Sequence, residues 1–202
     1  HLKGLTKLQG LNLQFTQVND AALVNLKGLP GLQSLEVSSM TITDAGLVHL
    51  KEIASLQSLV YLSRKTTDAG LAHLKGLPKL RRIYVGGPLI TDAGLEHLKD
   101  FTELQTLSLR YFTRITDAGL AHLKGLTKLQ SLNLDRTQIM GAGLEHLKGL
   151  KKLERLTFNN RINDAGLEHL KGLTNLKMLD LKMGITDAGL VHLKEMTGLR
   201  EL

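Results

Sequence analysis

Apolar residues recur along this chain in two alternating rhythms. In the first, leucines fall every third residue and then every second, as in Leu126, Leu129, Leu132 and Leu134, or Leu173, Leu176, Leu179 and Leu181. The Leu-x-Leu end of that pattern places both leucines on one side of an extended segment, which predicts a short strand with one buried face. In the second, leucines three apart follow the string Asp-Ala-Gly, as at Leu47 and Leu50, and that spacing suits a short helix. The string Asp-Ala-Gly-Leu-x-His-Leu-Lys, or a close variant, marks every helix. It starts at Asp20, Asp44, Asp68, Asp92, Asp117, Gly141, Asp164 and Asp187, in steps of 23 to 25 residues.

Helix boundaries follow from the same string. Thr-Asp ahead of Ala-Gly-Leu offers an N-terminal cap, through Thr43 or Asp44 for instance, and puts a carboxylate at the positive end of the helix dipole. Lys51, Lys75 and Lys99 fall at the negative end, and Gly28, Gly76, Gly125, Gly149 and Gly172 follow the lysine, where a left-handed glycine would stop the helix. One such unit cannot bury its own leucines. Stacked units can, with the strands forming a parallel sheet and the helices a second layer, and the sheet curves because helices need more lateral room than strands. Eight full or nearly full units and a ninth begun at Met196 predict nine strands.

The in-phase strings Leu-x-x-Leu-x-Leu and Thr-x-Ile-Thr-Asp-Ala-Gly-Leu resemble those of leucine-rich repeat proteins over essentially the whole chain. The nearest resemblance is to the ribonuclease-inhibitor-like and cysteine-containing subfamilies and to bacterial arrays of this 24-residue kind. Where cysteine-containing members carry a cysteine after the strand, this chain has Thr16, Met40, Arg64 and Thr137. The resemblance implies an α/β solenoid, a curved horseshoe with a parallel sheet on its concave face and short α-helices on its convex face. It also implies a module that binds other macromolecules and is not an enzyme. Residues 1–202 are expected to form a single repeat domain of about eight repeats of 23–25 residues, cut uncapped from a longer array whose open ends favour end-to-end self-association.

Composition supports a repeat. Leucine accounts for 46 of 202 residues and aromatics for 3%, so one small motif is packed again and again. No cysteine is present, which removes disulfides, thiolate metal sites and cysteine nucleophiles. The net charge of +7 invites a nucleic-acid reading. The basic excess is scattered across turns, however, and the helix-end lysines are expected to be solvated partners of the helix dipole. A histidine ladder (His49, His73, His97, His122, His146, His169, His192) supplies one imidazole per unit, with no second ligand four residues away on the same helix. These rings are expected to be half-buried and hydrogen-bonded to a neighbouring turn, with no metal. No nucleophile elbow, phosphate-binding glycine loop or His-Glu-x-x-His helix occurs, and the strand serines lie across the leucine core from the helix histidines. No catalytic residue, cofactor or metal site is expected, and no apolar run is long enough to span a membrane.

The outward strand positions are small and polar in the outer units and change character in the middle. Val60 and Leu62 expose apolar surface, Tyr84 adds an aromatic, Arg82 and Arg110 flank it, and Ser108 sits beside it. The post-strand loops become irregular in the same units, at Arg64-Lys65, Gly86-Gly87-Pro88 and Tyr111-Phe112. Aromatics and arginines beside apolar surface are enriched in interface hot spots. The expected partner-binding patch is therefore Val60, Leu62, Arg82, Tyr84, Ser108, Arg110, Tyr111 and Phe112, taking a protein or peptide ligand. Polyanion or nucleic-acid binding by the same arginines is the less favoured alternative, and a substrate-recognition or sensor segment of a larger regulatory protein is another.

Overall fold

The structure, a computed structural model, describes residues 2, 4–111 and 114–202; for 159–161 and 182–183 it describes the backbone alone. Eight strands form one parallel sheet in chain order: β1 (Gly10–Gln14), β2 (Ser34–Ser38), β3 (Ser58–Leu62), β4 (Arg82–Gly86), β5 (Thr106–Ser108), β6 (Ser131–Asn133), β7 (Arg155–Arg161) and β8 (Met178–Met183). The expected ninth strand is reduced to a single bridge, Glu201 against Met178. Equivalent residues pair across neighbours, so Leu11, Leu35, Leu59, Ile83, Leu107, Leu132, Leu156 and Leu179 stack into one apolar row. From Leu35 onward every member of that row is fully buried.

The second inner position of each strand forms a parallel row, and here the repeat admits larger rings. Tyr61 and Phe158 stand where other units have Val37, Val85, Leu109 or Leu134, and both are buried. A buried phenol needs a partner. Tyr61 finds it in the Thr66 hydroxyl at 2.9 Å, also buried, and burial pushes the phenol up to about 12.

Across the core, the convex elements of the first four units and the last are one α-turn running into a 3₁₀ segment, as in Asp44–Leu47 followed by Val48–Glu52, while Asp164–Glu168 is an α-turn alone. In the fifth and sixth units the whole element, Asp117–Leu123 and Ala142–Leu147, is 3₁₀. So short a helix consists almost entirely of ends, and three-residue hydrogen bonds tighten ends. The glycines after the lysines do not take the expected left-handed conformation. Among the described glycines only Gly141 (φ +122) and Gly184 (φ +96) have positive φ. The buried residue that follows breaks the helix instead: Leu77, at φ −114 and ψ 75, donates its N–H to the Leu74 carbonyl. Gly76 is needed for a different reason, since a Cβ there would stand 2.7 Å from Cβ of Lys51 in the preceding unit.

The helix-start aspartates do more than face a dipole. Thr43, Thr67, Thr91, Thr116 and Thr186 are the N-caps, each hydroxyl accepting from the N–H two residues on. Each of these threonines in turn donates twice to the aspartate of the preceding unit. Thr91 donates its N–H to Asp68 Oδ1 at 2.8 Å and its hydroxyl to Asp68 Oδ2 at 2.7 Å. The same pair of bonds joins Asp20 to Thr43, Asp44 to Thr67, Asp92 to Thr116 and Asp164 to Thr186. A polar staple thus stitches consecutive units along the convex edge. It also explains Gly46, Gly70, Gly94, Gly119 and Gly189, each two residues after an aspartate: a Cβ on Gly94 would collide with the Asp68 carboxylate behind it, and the others stand likewise against the aspartate of the preceding unit. At the sixth unit Met140-Gly141 replace Thr-Asp. Among the described residues Asp117 then receives the N–H groups of Met140 (3.1 Å) and Gly141 (3.3 Å) from the next unit and no hydroxyl, and Asn163 in the unit after caps its own helix by accepting from Gly166.

Candidate recognition site

The sheet sets out the predicted patch in register. Val60 pairs with Tyr84, and Tyr84 with Ser108, so these side chains stand side by side on the concave face. Tyr84 and Arg82 are exposed and Val60 is half-buried. Ser108 is in line with them but offers little surface, being 8% exposed. Arg110 is turned aside: its Nε lies 3.8 Å from Asp135 Oδ2 and its guanidinium sits 4.7 Å from the centre of the Tyr111 ring. Arg136 covers the same ring at 4.9 Å. Tyr111 is thereby held by two cations, a stacking that fixes its direction. Phe112 lies outside the described residues.

Leu62 and Tyr111 belong to a second surface that the strand pattern did not reveal. Where the strands end, the post-strand loops of the first five units leave a groove of about 1120 Å³. Its apolar wall residues are Phe15, Met40, Leu62 and Tyr111, of which Phe15 is 93% and Met40 66% exposed. Leu62 reaches this floor because its in-register neighbour is Gly86, where a Cβ would stand 2.8 Å from Leu62 Cδ2. Phe15 and Tyr111 both have positive φ, +58 and +71. For a bulky residue such a backbone costs on the order of 1–3 kcal/mol, and strain of this sort concentrates at functional sites. Phe15 recovers none of that cost by burial. The sequence did carry a signal for it: Phe15 occupies the same repeat position as Tyr111, four residues after the first inward strand leucine.

Elsewhere the ionisable groups are locally paired or solvated. Lys99 meets Glu96 at 3.0 Å and Lys177 meets Glu154 at 2.8 Å, while Lys128 pairs with Glu103; each lysine holds its partner's carboxyl below the usual range. Exposed pairs of this kind contribute little to stability. The histidines are half-buried, as expected. The expected hydrogen bonds to neighbouring turns are missing among the described residues; Nδ1 of His97 is buried without a partner, and Nε2 of His146 lies 3.8 Å from Glu145. Among the described residues no three His, Asp or Glu side chains converge as metal ligands, and no helix is long and apolar enough to cross a membrane.

No protein-family profile matches the chain, and no curated protein does. Among solved structures it is similar to internalin C2 of Listeria monocytogenes, with 28% identity over 89% of this chain and 73% of that one, at a TM-score of 0.68. It is likewise similar to the internalin InlF of the same organism, with 24% identity over 99% of this chain and 62% of that one, at a TM-score of 0.63. The fold is a leucine-rich repeat solenoid. The chain spans less than two thirds of the length of that second internalin. In this leucine-rich repeat array the concave sheet and the loop-edge groove adjoin through Leu62, and together they collect most of the exposed large apolar side chains of the first five units.

Proposed function

We propose that the chain is a non-enzymatic recognition module, acting as one leucine-rich repeat domain, that binds a protein or peptide through its concave sheet and the adjoining post-strand loops. The observation that carries this reading is the gathering of Phe15, Met40, Leu62, Tyr84 and Tyr111, all more than a third exposed, on one face and one edge of a rigid array. Contiguous exposed apolar surface of this kind is costly to leave in water and marks interaction sites. Tyr111, held between Arg110 and Arg136, is preorganised, so little side-chain entropy is lost there when a partner arrives.

The test is capture of a partner by the immobilised chain, followed by affinity measurement on variants. Tyr84→Ala and Arg110→Glu should each weaken binding about tenfold, as removal of a hot-spot contact does. Glu168→Lys on the convex side should leave it unchanged. Equal loss from all three would overturn the assignment. Polyanion binding is disfavoured because Arg110 already faces Asp135. It would instead give oligonucleotide affinity falling steeply with salt, by about 0.9 log units per log unit of salt for each phosphate neutralised on duplex DNA.

A further inference from the structure

The loop-edge groove has a period of its own. The position four residues after the first inward strand residue reads Phe15, Ser39, Ser63, Gly87 and Tyr111 in five consecutive units. Two exposed aromatics in left-handed backbone stand at the ends, and three small residues form the floor between them. The floor is chemically closed. Ser39 donates its hydroxyl to the Val18 carbonyl at 2.7 Å, Ser63 to that of Ile42 at 2.6 Å, and a Cβ on Gly87 would stand 2.7 Å from the Ser63 carbonyl oxygen. Beneath it β2, β3 and β4 are each paired on both sides, so no free strand edge is offered to a ligand. A segment lying here must need no hydrogen-bond ladder.

The spacing selects such a segment. Strands advance by about 4.8 Å, so the two walls stand roughly 19 Å apart, with the third unit about 10 Å from each. That third unit carries Arg64, the one charged residue lining the groove; it is exposed and has no ion-pair partner among the described residues. A polyproline II helix has three residues per turn and rises about 3.1 Å per residue, so its first, fourth and seventh side chains lie on one face about 9.3 Å apart. One turn of that helix therefore matches two repeats to within a few tenths of an ångström. Its backbone makes no internal hydrogen bonds and is already extended, so it docks on aromatic walls at low entropic cost.

We propose that this groove binds a seven-residue polyproline II segment whose first and seventh residues are apolar, one against Phe15 and one against Tyr111, and whose fourth is acidic and faces Arg64. The proposal rests on the protein-recognition reading above and names the ligand of its loop edge.

The probe is a fluorescein-labelled peptide, Gly-Gly-Leu-Pro-Pro-Glu-Pro-Pro-Leu-Gly-Gly, titrated with the full chain and read by fluorescence anisotropy. Saturable binding is expected. Replacing the central Glu by Lys, or adding one Pro before it to break the three-residue spacing, should weaken binding about tenfold, as should Phe15→Ser or Tyr111→Ser in a chain whose circular-dichroism melt is unchanged. Arg64→Glu should reverse the preference in favour of the Lys peptide, a gain that misfolding cannot produce. Absence of saturable binding, equal binding of the spacing-shifted peptide, or an Arg64→Glu chain with unaltered preference would each overturn the proposal. If a captured partner depends on Tyr84 yet ignores Phe15→Ser and is not displaced by the peptide, the groove proposal fails while the recognition reading stands. If no partner depends on either surface, both fail.

Discussion

Removing one rung of the aspartate–threonine staple gives a sharp test of what holds consecutive repeats together. In Asp68→Ala the N–H and hydroxyl of Thr91 lose their acceptors at 2.8 and 2.7 Å, and the cap that Thr91 provides to Ala93 loses its anchor. A hydrogen bond to a charged group contributes about 1.5–3 kcal/mol. Both groups are only part-buried, so water can replace some of what is lost, and a net cost of about 2 kcal/mol is expected. With an unfolding slope of roughly 2 kcal/mol per molar urea, the midpoint should fall by about 1 M in a circular-dichroism titration. The control is Asp187→Ala. Asp187 also begins a helix, yet has no cross-repeat hydrogen bond among the described residues, so it reports the dipole contribution alone. A further check uses Gly94, whose added Cβ would strike the Asp68 carboxylate. Gly94→Ala should be destabilising by about 1–3 kcal/mol alone and less so in the Asp68→Ala background, although the methyl of Ile90 still crowds the site. Equal midpoint shifts for Asp68→Ala and Asp187→Ala, with no coupling to Gly94, would refute the staple and leave only a dipole effect.

Two further expectations concern the irregular units. Restoring the interrupted rung with the triple substitution Met140→Thr, Gly141→Asp and Asn163→Thr should raise stability by about 2 kcal/mol, seen as a higher urea midpoint; a fall would show that the left-handed Gly141 is itself required. Tyr61 should titrate near pH 12 by ultraviolet absorbance, while an unfolded tyrosine ionises near 10. Between those values the unfolded chain releases a proton that the folded chain keeps, so stability must decline as pH rises through that window. The decline should be absent in Tyr61→Phe, and its persistence there would assign it to another group.

The period, the strand positions, the placement of leucines in one core and the α/β solenoid were all legible in the sequence, because each depends on residues within a few positions of one another. Leu-x-Leu fixes which face of a strand is buried, and Asp-Ala-Gly-Leu fixes where a helix starts, before any unit meets its neighbour. The concave placement of Val60, Arg82 and Tyr84 followed directly from that alternation. Contacts between units were not legible in the same way. Asp68 and Thr91 are 23 residues apart and touch only once the repeats are stacked, so the aspartate reads locally as a dipole partner and structurally as a staple. A trace of the coupling is present in the chain: the sixth unit loses its aspartate at Gly141, and the next unit has Asn163 where others have threonine. Ser108, legible as outward-facing, is covered by its neighbours, and Arg110 is drawn to Asp135, because side-chain exposure depends on what the adjoining strands carry. The irregular post-strand loops at Arg64, Gly86-Gly87-Pro88 and Tyr111 were legible in the sequence, but their joining with Phe15 and Met40 into one groove was decided by tertiary structure. It depends on small residues in three successive units stacking into a floor, and on left-handed backbone at Phe15 and Tyr111, a geometry that bulky residues ordinarily avoid and that Arg136 adopts at the same repeat position one unit further on.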